Sequence, residues 1–104
     1  MAEIKGMYMR IHETPQGRIV AACDRELLGS VLDDGRAYLD LKTYRDFYAG
    51  SPAGARELEA ALADYASANL VGRRAVGVAV GMKLAREKDV IYINKTPHIQ
   101  LYNI

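Results

Sequence analysis

The sequence predicts an α+β domain, a largely antiparallel sheet with a helical pair packed on one face. Three observations carry that prediction. Alternating side chains flank a Pro-Gly turn near the start, an apolar stripe at helical spacing follows Ser51, and a long run of small and β-branched residues follows Gly72.

Met7, Met9 and Ile11 alternate with Tyr8, Arg10 and His12, the period of a half-buried strand. Thr14-Pro15-Gln16-Gly17 is a turn, with Pro15 fixing φ and Gly17 open to positive φ. Arg18 to Cys23 is the returning strand, so the chain opens on a hairpin. Asp24 is a good N-cap for a short helix, Arg25 to Leu32, carrying Leu27, Leu28, Val31 and Leu32. Asp33-Asp34-Gly35 ends it, and Arg36 to Lys42 is a third strand with Ala37, Leu39 and Leu41 on one face. Tyr44 to Gly50 is an aromatic loop.

Ser51 as N-cap and Pro52 at the first helical position start a helix from about Ala53 to Ala68. Leu58, Leu62, Tyr65, Ala66 and Asn69 share its apolar stripe. Arg73 to Ala85 alternates small residues with Val and Met; its length and the following Lys-Leu-Ala-Arg-Glu-Lys run favour a second helix over a strand. Its Ala75, Gly77, Ala79 and Gly81 would let another backbone approach closely. Asp89 to Ile93 and His98 to Ile104 are the final strands, around a corner at Pro97. No repeat, linker or low-complexity stretch interrupts the 104 residues, so 1–104 is expected to be a single domain.

Composition narrows the function classes. Half the residues are apolar and 26% are charged, the balance of a folded chain rather than a disordered one. No run reaches the ~18 apolar residues of a membrane span. The start, Met1-Ala2-Glu3-Ile4-Lys5, lacks an apolar signal core, so a cytoplasmic location is expected. Cys23 is the sole cysteine, which excludes an internal disulfide and fits a reducing compartment. Net charge is only +1, but residues 1–65 balance at −3 and residues 66–104 at +4. That asymmetry permits an anionic partner on one face, although a solvated basic surface is the plainer account of it.

Catalytic motifs are absent: there is no phosphate loop, nucleophile elbow, cysteine pair or His-Glu-x-x-His. His12 and His98 have no third partner in the sequence, so neither a metal nor a cofactor is expected. A Cys23–His98 dyad competes with the commoner fate of a lone cysteine as a small interior hydrophobe. Two segments place polar groups among apolar ones: Ser67-Ala68-Asn69-Leu70-Val71-Gly72-Arg73-Arg74 and Thr96-Pro97-His98-Ile99-Gln100. Asn69 suits a left-handed helix end, and Gly72 a turn into the next helix. Alternatively Gly72, Arg73 and Arg74 open a helix whose free N–H groups hold an anion, with Lys95 nearby. Tyr44 and Tyr48, beside Phe47 and Arg45, offer rings for stacking bases, or a loop folded back over the sheet edge.

Four blocks resemble a known family in order and spacing: Val20-Ala21-Ala22-Cys23-Asp24-Arg25-Glu26-Leu27-Leu28-Gly29, Phe47-Tyr48-Ala49-Gly50, Ala68-Asn69-Leu70-Val71-Gly72 and Pro97-His98-Ile99-Gln100. The family is archaeal and known as domain of unknown function 424. The resemblance implies a cytoplasmic archaeal protein of about this length, with no activity to carry over. The chain departs from the family pattern at Arg73, where an acidic residue is common, and at Lys95-Thr96, where Gly-Val is common.

The leading expectation is therefore a non-enzymatic binding module associated with RNA or a ribonucleoprotein, using Asn69, Gly72, Arg73, Arg74, Lys95, His98, Gln100, Tyr44 and Tyr48. The first rival is a ligand-binding or enzymatic domain whose pocket joins Cys23-Asp24, Asn69 and Pro97-His98 with Gln100. The second is a protein–protein adaptor that exposes its last strand for pairing.

Overall fold

The computed structural model describes residues 5–103; Met1–Ile4 and Ile104, the last residue of the expected final strand, lie outside them. Strands β1 (Met7–Thr14) and β2 (Gly17–Asp24) form the opening hairpin. The Thr14 hydroxyl donates to the Gly17 carbonyl at 2.7 Å and accepts from the Gln16 N–H at 3.2 Å, closing the Pro-Gln turn.

The helix expected over Arg25–Leu32 does not form. One 3-10 turn, Arg25–Leu27, is followed by Gly29 at φ 90°, and Val31–Asp33 becomes strand β3, paired with β4 (Tyr38–Asp40). Asp24 does not cap this turn; its side chain serves another helix, described below. The expected third strand survives only as β4, and the aromatic loop contains a single helical turn, α1 (Arg45–Tyr48).

Ser51-Pro52 does not start a helix either. Ser51–Ala53 is a short edge strand, β5, paired with β1, a position where a proline's missing N–H is harmless. The helix, α2, starts three residues later and spans Ala55–Ala61, with the Glu57 carboxylate accepting the Gly54 N–H at 3.0 Å. It stops well short of Ala68, and Asn69 is not a helix end. Ser67–Val71 is β6, a central strand parallel to β2 on one side and antiparallel to the last strand on the other. Helix α3 (Arg73–Gly81) follows directly, shorter than the expected Arg73–Ala85. After a 3-10 turn at Glu87–Asp89 come β7 (Ile91–Ile93) and β8 (Thr96–Tyr102). The corner between them is the Asn94-Lys95 pair at φ 49° and 68°, not Pro97, which lies inside β8.

The six-stranded sheet has the order β5-β1-β2-β6-β8-β7, and its only parallel pairing among the described residues is β2–β6. Helices α2 and α3 cover one face, burying Leu58, Ala75, Val76 and Ala79 against Val20, Ala22, Leu70 and Ile99. On the other face α1 and the β3–β4 hairpin cover only part of the sheet, over Ala21, Cys23, Val71 and Ile93. Covered on both faces, the second half of β2 reads as an unbroken buried run, Val20–Asp24. The glycines of α3 do not admit a neighbouring backbone as expected: Ala75 and Ala79 face the sheet, whereas a Cβ at Gly77 or Gly81 would meet nothing within 4 Å.

Candidate functional site

Adjacent parallel strands β2 and β6 send the chain to opposite faces of the sheet. From β2 it turns to the β3–β4 side, and from β6 to α3. Such a divergence opens a crevice beyond the carboxyl ends of the strands, the preferred ligand position in sheets of this kind. Here the crevice holds about 280 Å³, bordered by Asp24, Glu26, Gly72, Arg73, Lys95 and Pro97. A second hollow of about 380 Å³ adjoins it on the α3 side, sharing Arg73, Lys95 and Pro97 and adding Val76, Glu87 and Tyr92. A larger, mainly apolar groove of about 650 Å³ runs along α3 past Met7, Gly77, Val78, Gly81 and Met82.

The floor of the crevice is a capped helix terminus. Gly72, at φ 105°, makes the turn from β6 into α3 and donates its N–H to the Pro97 carbonyl at 2.8 Å. A Cβ at Gly72 would collide with the Asp24 carboxyl group, so this position requires glycine both for conformation and for room. Asp24 accepts the backbone N–H of Arg74 at 3.1 Å and of Ala75 at 3.0 Å. The expected anion site on these N–H groups is thereby overturned: the protein's own carboxylate occupies it. Burial raises the Asp24 pKa against the lowering effect of the two N–H bonds.

Arg74 is corrected in the same way. Its Nη1 donates to both carboxylate oxygens of Glu26, at 2.9 and 2.8 Å, and lies 3.7 Å from Asp24, so its charge is already matched. Arg73 and Lys95 differ. Both are exposed, and neither makes an ion pair among the described residues. Lys95 is presented by the Asn94-Lys95 turn, which is tied down by the Asn94 N–H donating to Asp34 at 3.3 Å. Tyr92 stands beside them, 52% exposed, its hydroxyl donating to Glu87 at 3.0 Å and within the electrostatic reach of Arg73.

Asn69 and Gln100 meet elsewhere. They face each other across β6 and β8 on the incompletely covered face of the sheet. Gln100 Nε2 donates to Asn69 Oδ1 at 2.9 Å, and the Tyr102 hydroxyl donates to Gln100 Oε1 at 3.4 Å. His98 is buried, with its Nδ1 3.0 Å from the Leu70 carbonyl and its pKa lowered by burial. Cys23, Val71 and His98 form one cross-strand row, as convergence of these blocks required. Val71 nevertheless separates the thiol from the imidazole by two strand spacings, about 10 Å. The thiol is fully buried and its pKa is pushed up to about 12, by burial first and by Asp24 next. Cys23, Asn69 and His98 border none of the three cavities.

The aromatic cluster folds back on the sheet. Tyr48 is buried, edge-on to Phe47 at 5.1 Å, and Phe47 stacks on His12 at 4.7 Å. Tyr48 is therefore a core residue and not a stacking platform, while Tyr44 stays exposed and borders none of the three cavities. Sequence reasoning missed the role of Asp24, which has no local signature because its partners lie 50 and 51 residues away. It also missed the Asn94-Lys95 turn, for which an asparagine between two short apolar runs is the available signal.

In the comparisons with known proteins, no curated protein matches the sequence. The chain is similar in structure to an uncharacterized conserved protein from Methanopyrus kandleri, with TM-score 0.76 and 28% identity over 92% of this chain and 90% of that one. At the level of sequence, the model of a family described as protein of unknown function (DUF424) matches residues 11–104, from the middle of β1 to the last residue, and the chain belongs to that family.

Proposed function

We propose that this protein is a non-enzymatic binding module that takes single-stranded RNA at the crevice beyond β2 and β6. The observation that carries the reading is the pairing of Arg73 and Lys95. They come from different elements and border the same two hollows, and neither makes an ion pair among the described residues. Nearby acids are already engaged: Glu26 by Arg74, Asp24 by the start of α3, and Glu87 by Tyr92. Two cations beside an exposed ring suit a phosphate backbone with a stacked base. A Cys23–His98 chemistry finds little support, given a desolvated thiol and an imidazole held against a backbone carbonyl.

Titration of a short single-stranded RNA by fluorescence anisotropy over a range of salt tests this reading. Affinity should fall with salt, and Arg73→Ala with Lys95→Ala should flatten the slope by about 0.7 per cation removed. Tyr92→Ala should cost roughly 1–3 kcal/mol with little change of slope. A parent protein that binds no RNA at ~50 mM salt would remove the proposal.

A further inference from the structure

The last strand is longer than its neighbour. β8 spans seven residues, and β7 pairs only with Thr96, Pro97 and His98. Beyond them, the inner side of β8 is used by β6. The Gly72 N–H donates to Pro97 and the Asn103 N–H donates to Ala66, so Pro97, Ile99, Leu101 and Asn103 turn their peptide groups toward β6. His98, Gln100 and Tyr102 therefore turn theirs outward. His98 meets Ile91 of β7, but no strand pairs with Gln100 or Tyr102 among the described residues. The chain that would continue β7 alongside them is diverted into the 3-10 turn at Glu87–Asp89.

Sheet edges left open in monomers are commonly protected by a charge, a bulge or a proline. This one carries none of these where it is open. Residues 96–103 include no Asp, Glu, Lys or Arg, and Pro97 lies under β7. The side chains flanking the edge are Ile91, 56% exposed, Tyr102, 67% exposed, and the exposed Gln100.

We infer that Gln100–Tyr102 pairs antiparallel with the same segment of a second copy, joining two sheets edge to edge. A two-fold axis at Leu101 sets Gln100 opposite Tyr102 of the second copy, and the two exchange N–H···O bonds in both halves. Self-pairing brings no like charges together, because the strand has none, and an isologous contact closes on itself instead of propagating. Leu101 then faces its own counterpart on the helix side, and the Gln100 amide meets a second tyrosine hydroxyl on the other. This surface is separate from the RNA crevice, and the proposal does not depend on that reading.

Sedimentation equilibrium of the full chain, from micromolar to millimolar protein, tests it, with amide hydrogen exchange as the residue-level readout. The parent should sediment as a dimer, and the Gln100 and Tyr102 amides should gain protection as it forms. Gln100→Pro removes the outward N–H, along with the side-chain bonds to Asn69 and Tyr102, and fills the edge with a ring, so it should raise the dimer dissociation constant at least tenfold. Tyr102→Lys, which places a charge on the edge without touching the backbone, should do the same and serves if the proline variant misfolds. A parent that stays monomeric throughout would overturn the inference. So would a dimer that both variants leave intact, which would locate the contact on another face. A monomer whose Gln100 and Tyr102 amides become protected only on adding an extended peptide would assign the edge to a different chain and also overturn it.

Discussion

Asp24, the last residue of β2, caps α3 from across the fold, its carboxylate accepting the Ala75 N–H at 3.0 Å over a separation of 51 residues. Helix caps of this chemistry are usually local; this one couples the helix to the assembly of the sheet. Asp24→Ala leaves two N–H groups of a buried helix start without an acceptor and should cost about 1–2 kcal/mol by urea denaturation. Burial holds the folded-state pKa of Asp24 above its ordinary 3.8, so the group's contribution is fully present below pH 3.8 and lost as pH rises through the raised value. The stability of the parent relative to Asp24→Asn should therefore decline between pH 3 and 7, read as the difference between their two profiles.

Gly72 in the crevice and Gly77 in the adjoining hollow should respond in opposite directions. Gly72→Ala meets both a positive φ and the Asp24 carboxyl group, and should lower stability by more than about 1 kcal/mol. Gly77→Ala adds a Cβ in open space at mid-helix and should raise stability by roughly 0.5–1 kcal/mol. Thermal melts of the pair decide it; a destabilised Gly77→Ala would mean the α3 surface is not free.

His98 should report on acid. Its folded-state pKa is depressed by burial below the ordinary 6.5, so its contribution is intact above pH 6.5 and lost as pH falls through the lower folded value. An NMR titration should place its midpoint below 6.5, with Nδ1 protonated in the neutral ring because it donates to Leu70. A midpoint above 6.5 would contradict the buried placement.

Cys23, with its thiol raised to about 12, should label slowly with a thiol reagent at neutral pH and rapidly once urea unfolds the chain. Cys23→Ala should lower stability modestly and leave RNA titrations unchanged.

Tyr48→Ala should behave as a core truncation, costing about 3–5 kcal/mol of stability without a specific effect on binding. Calorimetric melts alongside the anisotropy titration separate the two effects.

The parts of the fold legible in the sequence are those with local causes. Met7 to Cys23 announces a hairpin because strand alternation and a Pro-Gly turn sit next to each other. Ser67–Val71 does not announce a strand, because Asn69 fits the helical stripe of Leu58 and Leu62 equally well. Its strand identity comes from β2 and β8, whose pairing residues are distant in the chain. Gly72 was legible as a turn, though the turn enters a helix from a strand rather than joining two helices. In the crevice, Arg73 and Lys95 stand out as cations, but nothing adjacent to Arg74 in sequence reveals that Glu26 claims it. Tyr48 likewise carries the same local signal as Tyr44, and only tertiary packing sends one ring inward and leaves the other in water.

The parallel seam between β2 and β6 has a consequence for the order of events during folding. Each side of it contains a hairpin between neighbours in sequence, β1–β2 on one side and β7–β8 on the other, while β5 joins β1 from a distant part of the chain. Local closures of that kind take microseconds, whereas residues 19–23 reach residues 67–71 only after a long intervening loop has been brought round. The seam is thus costlier in chain entropy than either hairpin, and Asp24 and Gly72 lie at the end of it. A substitution at either residue slows folding to the extent that the seam is formed at the transition state, and speeds unfolding to the extent that it is not.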